Sequence, residues 1–73
     1  MYFRRLRDMR EYHDFKQREI AEKLGIAQTV YSRYERGART IPIEYLIFLS
    51  KLYRVSCDYL LGLTDDPERH TKD

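Results

Sequence analysis

Three glycines divide the chain. Gly25, Gly37 and Gly62 each follow a stretch whose apolar residues recur at helical spacing. Glycine just past a helix end most readily takes the left-handed conformation that closes it. No run alternates apolar and polar residues between hairpin-type turns, so the pattern predicts an all-α chain. The expected helices lie near 2–13, 17–24, 28–36, 43–53 and 56–61. Pro42 suits the first turn of the fourth, and Ser56 suits the cap of the fifth. With 73 residues the chain can bury one small core. A single domain is therefore expected over residues 1–62. Residues 63–73 have almost no apolar content and read as a flexible C-terminal tail or linker stub.

Several function classes drop out on composition. One cysteine, Cys57, permits neither an intramolecular disulfide framework nor a zinc-binding cysteine cluster. His13 and His70 are too far apart and too poorly accompanied to suggest a metal site. Asp65, Asp66 and Glu68 fall in the tail rather than a pocket, and no nucleophile–base pattern or glycine-rich phosphate loop appears. The expectation is a protein that is not an enzyme and holds no cofactor, metal or small-molecule ligand. No apolar run approaches the roughly 18 residues of a membrane span. The start of the chain lacks the apolar stretch of a signal peptide. A cytoplasmic, nucleoid-associated location is expected.

Charge is distributed unevenly. The net is +2, but residues 1–39 carry ten Lys and Arg against six acids, a net of +4, while residues 40–73 carry four against six, a net of −2. Such a basic half either faces a polyanion or is simply part of a mixed-charge solvated surface.

The third helix has two faces. Turning about 100° per residue, Gln28, Thr29, Ser32, Arg33 and Arg36 fill one continuous polar arc, and Val30, Tyr31 and Tyr34 fill the opposite one. No acid interrupts the polar arc. These are the side chains that read base edges: glutamine pairs with adenine, arginine with guanine, and Ser or Thr meets either an edge or a thymine methyl. A merely solvated helix would show the same residues. The short preceding helix and the tight link Gly25-Ile26-Ala27 tip the balance toward a helix-turn-helix.

On the first helix Phe3, Leu6, Met9 and His13 form an apolar stripe, and Arg10 lies at its rim. An arginine there either reaches outward or meets a carboxylate. Glu35 sits at the border between the faces of the third helix, which suggests an Arg10–Glu35 ion pair. Periodicity alone does not choose between that pair and two solvated charges. Tyr12, Tyr31, Tyr34, Tyr53 and Tyr59 are expected in the core or at its edge. The fourth helix is apolar nearly all round, through Ile43, Tyr45, Leu46, Ile47, Phe48, Leu49, Leu52 and Tyr53. A domain this small cannot cover it, so a twofold homodimer contact through this helix and the 55–59 region is expected.

Gln17-Arg18-Glu19-Ile20-Ala21-Glu22-Lys23-Leu24-Gly25-Ile26, followed by Ser32-Arg33-Tyr34-Glu35-Arg36-Gly37, resembles the Cro/cI-type (xenobiotic-response-element) helix-turn-helix family of phage and bacterial regulators. The match continues through Ile41-Pro42, Leu46, Leu49 and Val55-Ser56-Cys57-Asp58-Tyr59-Leu60-Leu61-Gly62. The resemblance implies a compact five-helix, lambda-repressor-like domain that binds double-stranded operator DNA as a dimer and regulates transcription, as a repressor at an inverted repeat. It implies base reading by Gln28, Thr29, Ser32 and Arg33. It also implies phosphate contacts from Lys16, Gln17, Arg36, Arg39 and Thr40, and a structural pair Arg10–Glu35. Lys16 and Ala27 stand where the family commonly has a Ser or Thr cap, and Tyr31 where an aliphatic residue is common. Tyr31 is expected to fill the core while its hydroxyl reaches the surface. The competing expectation is a protein-interaction module, such as an antitoxin-like subunit whose DNA binding is secondary and autoregulatory.

Overall fold

The computed structural model describes residues 1–68, and within them the chain forms α1 (Arg4–Tyr12), α2 (Gln17–Leu24), α3 (Gln28–Arg36), α4 (Ile43–Tyr53) and α5 (Cys57–Leu60). No strand occurs among the described residues. The expected bounds of α2, α3 and α4 hold to the residue. The outer two helices are shorter than expected because their end residues are caps: α1 lies between Phe3 and His13, and α5 between Ser56 and Leu61. Phe3 is extended at φ −115°, and Ser56 is extended at φ −74°, ψ 155°. The Ser56 hydroxyl accepts from the Tyr59 N–H at 3.0 Å, the cap that the sequence suggested. Pro42 precedes the first turn of α4 rather than occupying it.

Helix ends follow local chemistry. Gly25 closes α2 at φ 72°, and the Ile26 N–H returns to the Ala21 carbonyl at 3.0 Å, so the chain reverses into α3 within three residues. Gly37 closes α3 at φ 77° and is also crowded: a Cβ there would lie 2.8 Å from both Cα and Cβ of Tyr2. The segment before α1 thus rests directly on the end of α3. α4 has no glycine after it, and Arg54 takes the left-handed turn at φ 58°, a conformation that costs an L-residue about 1–2 kcal/mol. At α2 the Lys16 side chain has no acceptor to offer its helix. Only the reverse half of a capping box exists, the Lys16 N–H donating to the Glu19 carboxylate at 2.8 Å. Ala27 leaves α3 without a side-chain cap.

One core joins all five helices. Leu6 from α1, Ile20 and Ala21 from α2, Tyr31 and Tyr34 from α3, Leu46, Leu49 and Tyr53 from α4, and Leu60 from α5 are buried, with Ile41 and Val55 from the connections. Each of the fully buried aliphatic side chains contributes about 1.5–3 kcal/mol by leaving water. α2 and α3 pack most extensively on each other. The Tyr34 and Tyr45 rings meet at 6.2 Å and tie α3 to α4, and His13 stacks on Tyr53 at 5.2 Å, tying the end of α1 to α4.

Two tyrosine expectations are corrected. Tyr12 is 79% exposed, because it is the last residue of α1 and lies about 120° around the helix from Leu6, the residue of α1 that is buried. Tyr31 is buried to its hydroxyl, so that oxygen does not reach the surface and has no access to a phosphate. The reason is its setting: the ring runs inward among three packed helices instead of out along a rim. Of the stretch expected to be a tail, the Arg5 guanidinium donates to the Thr64 carbonyl and to Asp65 Oδ1, and the Ser56 N–H donates to the Pro67 carbonyl. The same guanidinium lies 4.0 Å over the Tyr59 ring. Residues 69–73, His70 among them, lie outside the described residues.

Candidate nucleic-acid interface

The short turn after Gly25 sets α3 across α2 with its polar arc outward. Gln28, Thr29, Ser32, Arg33 and Arg36 from α3, with Gln17 from the start of α2, line one open concavity of about 420 Å³. All four expected base-reading residues and two of the expected phosphate residues therefore share a single surface. No carboxylate lies in it. Arg33, Arg36 and Arg39 have no ion-pair partner among the described residues, so their charges are available to an anion. Lys16 is exposed at the cap of α2, beside Gln17. Arg39 and Thr40 lie outside the concavity on the exposed loop after α3, where the Arg39 N–H donates to the Arg33 carbonyl at 3.2 Å. The Thr40 hydroxyl accepts from the Met1 nitrogen at 3.4 Å.

Behind this surface the Arg10–Glu35 pair forms as expected. Arg10 Nε and Nη2 donate to the two Glu35 carboxylate oxygens at 2.6 and 3.2 Å, and Nη1 donates to the Phe15 carbonyl at 2.8 Å. Only 13% of the Arg10 side chain and 3% of the Glu35 side chain reach water. The hydrogen bond to Glu35 raises the Arg10 pKa above its usual value, outweighing burial, which acts to lower it. Two-pronged pairing fixes direction as well as distance, so it sets the rotation of α3 about its own axis relative to α1.

Gln17 is joined to the same pair. Its Nε2 donates to Glu35 Oε1 at 3.2 Å, which links a residue of the open surface to the buried charge behind it. This bond crosses 18 residues of sequence, and nothing in the local pattern of α2 announces it. Sequence reasoning also passed over Tyr2 and Arg7, which line a second concavity with Arg10, Gln17, Glu35 and Arg36. The available signal was the spacing of Arg7 and Arg10, three residues apart on one helix and therefore neighbours on its surface.

Among the described residues no group of three or more His, Cys, Asp or Glu is placed to hold a metal ion, and no helix is long and apolar enough to cross a membrane.

A family model described as helix-turn-helix matches residues 6–60. The chain is 47% identical over 68 residues to the uncharacterized HTH-type transcriptional regulator YobD of Bacillus subtilis, covering 93% of this chain and 61% of that protein. It is 40% identical over 70 residues to the HTH-type transcriptional regulator ImmR of the same organism, covering 96% and 55%. It is 33% identical over 55 residues to the cryptic phage CTXphi transcriptional repressor RstR of Vibrio cholerae, covering 75% and 50%. The chain thus spans half to three-fifths of the length of these relatives. No solved structure matches it. The matched span runs from α1 to the end of α5 and contains the Gly25 turn, the polar face of α3 and the Arg10–Glu35 pair, and the chain belongs to the Cro/cI-type (xenobiotic-response-element) helix-turn-helix family.

Proposed function

We propose that residues 1–62 are the DNA-reading unit of a transcriptional regulator, a repressor, in which α3 enters the major groove of a double-stranded operator. Residues 63–68 rest on that unit through Arg5 and Ser56 and take no part in the proposed DNA contacts. One observation carries the reading: Gln17, Gln28, Thr29, Ser32, Arg33 and Arg36 share a single acid-free concavity. Gln28, Thr29, Ser32 and Arg33 read base edges. Lys16, Gln17, Arg36, Arg39 and Thr40 hold the sugar–phosphate backbone and set the register. The repressor assignment takes its support from RstR, whose name describes a phage transcriptional repressor. The protein acts by binding, without catalysis, in the cytoplasm at the nucleoid.

Two copies bind an inverted repeat with half-sites about 34 Å apart, one helical turn. The contact between copies uses the outer face of α4, where Ile43, Ile47 and Phe48 are 62%, 43% and 39% exposed. Within the 55–59 stretch Val55 is buried in its own core and Tyr59 carries Arg5 on its ring, so Cys57 and Asp58 are left to extend that face.

Selection of bound duplexes from a random library at about 0.15 M ionic strength tests the proposal, because bulk electrostatics are largely screened there. The expected product is an enriched inverted repeat with half-sites one turn apart. A folded protein that enriches nothing would overturn the reading.

A further inference from the structure

We propose that α1 carries a further phosphate site: the concavity between Tyr2, Arg7, Gln17 and Arg36 receives a backbone phosphate of the bound duplex, with Arg7 as its principal ligand. This inference rests on the DNA-reading role proposed above and extends that surface across Gln17 onto a helix outside the helix-turn-helix.

The two concavities adjoin. The recognition surface and the second concavity, of about 250 Å³, share Gln17 and Arg36 as common walls. A polyanion lying along α3 and held by those two residues therefore passes the mouth of the second concavity. The floor of that concavity is the Arg10–Glu35 pair. There the Glu35 carboxylate is satisfied by two arginine donors and Gln17 Nε2, and Arg10 is committed to Glu35 and the Phe15 carbonyl. The charges left to act on an anion at the mouth are those of Arg7 and Arg36. Arg36 has no carboxylate partner among the described residues. Among the described residues Arg7 pairs only with Glu11, one turn along the same helix at 3.2 Å, with 61% and 54% of the two side chains exposed. An exposed pair of that kind is weakly held, so a phosphate can take the guanidinium from it. Tyr2 stays beside the site because its backbone rests on Gly37, the residue that follows Arg36.

A site of this kind has a defined signature. Phosphate contacts affect all sequences alike, and each one releases counterion, steepening log K against log salt by about 0.9. Duplex affinity is measured over a salt series with the selected operator and with an unrelated duplex. Arg7→Ala is expected to weaken both by the same factor, roughly threefold to tenfold near 0.1 M salt, and to flatten the slope by about 0.9. Arg7→Lys should keep most of the slope. Glu11→Gln, which releases Arg7 from that pair, should tighten binding to both duplexes. Arg4→Ala is the control: it removes the same charge from the same helix, but Arg4 lines a different concavity, with Leu60 and Leu61.

Arg7→Ala flattening the slope no more than Arg4→Ala would overturn the inference, and so would a loss confined to one base position of the operator. Either result leaves the DNA-reading role standing if the unsubstituted protein still selects its operator. Failure of the unsubstituted protein to bind any duplex overturns both. Arg7 is exposed, so thermal melts of its variants should match the parent. Should Arg7→Ala fail to fold, the gain expected of Glu11→Gln decides alone.

Discussion

α3 and α4 bury one face each in the same core and differ in everything else. The inner face of α3 contains Tyr31, Tyr34 and the charged Glu35, whereas that of α4 contains Leu46, Leu49, Ser50 and Tyr53 with no ionisable carboxylate or base. Outward, α3 shows Gln28, Thr29, Arg33 and Arg36, and α4 shows Ile43, Ile47 and Phe48. Apolar burial alone holds a helix against a core but tolerates small rotations about its axis, since dispersion and hydration are non-directional. α4 needs nothing more. Under the proposed reading α3 presents four side chains in register to a periodic polymer and needs its rotation fixed, which the two-pronged contact from Arg10 to Glu35 does. The charge buried on α3 therefore fixes orientation, and the apolar surface exposed on α4 is the face proposed above for association.

The largest expected effect comes from alkali, which attacks the core that both helices share. Burial, and after it the negative charge of Glu35, raises the pKa of the Tyr31 and Tyr53 hydroxyls above the ordinary value of 10.0. The folded protein keeps both protons where the unfolded chain releases them. The stability they contribute is complete below about pH 10 and is lost as pH rises past it. Melting midpoints should hold steady below that point and fall steeply above it. The Tyr53 hydroxyl is buried without a hydrogen-bond partner, so Tyr53→Phe should soften the fall without lowering stability near neutrality. A midpoint unchanged up to about pH 11 would place these hydroxyls in water.

Next is the brace itself. Glu35→Ala strands the Arg10 guanidinium and should cost about 3 kcal/mol in urea unfolding, the lower end of the range for broken buried pairs, because Arg10 keeps some contact with water. Replacing both partners with apolar residues, Arg10→Met with Glu35→Leu, should recover much of that stability while weakening discrimination between operator and random DNA. If the double variant discriminates as well as the parent, burial alone orients α3 and the contrast with α4 fails.

On the outer faces the effects separate binding from stability. Arg33→Ala should cost about 1–3 kcal/mol of binding and relax preference at one base position, with the unfolding midpoint unmoved. Equal losses on operator and random DNA would remove Arg33 from the base-reading set. Ile47→Gln should change stability by no more than about 0.5 kcal/mol yet shift sedimentation equilibrium toward monomer. An unchanged association constant would leave the exposed face of α4 without the role proposed for it.

Much of the site was legible because the signals are local. The bounds of α2 and α3, the turn at Gly25 and the polar arc through Gln28, Thr29, Ser32 and Arg33 follow from periodicity and from the glycine that ends each helix. The Arg10–Glu35 pair was legible for a different reason. A charge at the edge of an apolar stripe either meets a partner or reaches water, and the family resemblance, which implies the pair, chose between the two. Gln17 lines the concavity with the α3 residues, and its bond to Glu35 was not foreseen. Nor was the placement of Tyr2 against Gly37, which brings Arg7 into the same concavity as Arg36.

The amino-acid sequence by itself determined an all-helical chain, the position of its turn and which side chains α3 turns outward. These depend on φ, ψ and spacing within a few residues. Tertiary structure alone decided that the Tyr31 hydroxyl ends inside the core, that Arg5 holds Thr64 and Asp65 against α1, and that Gln17 and Arg36 form a wall between two concavities. Periodicity states which face a residue occupies, but a partner many residues away is chosen by how the packed helices cross, and that crossing is a property of the whole core.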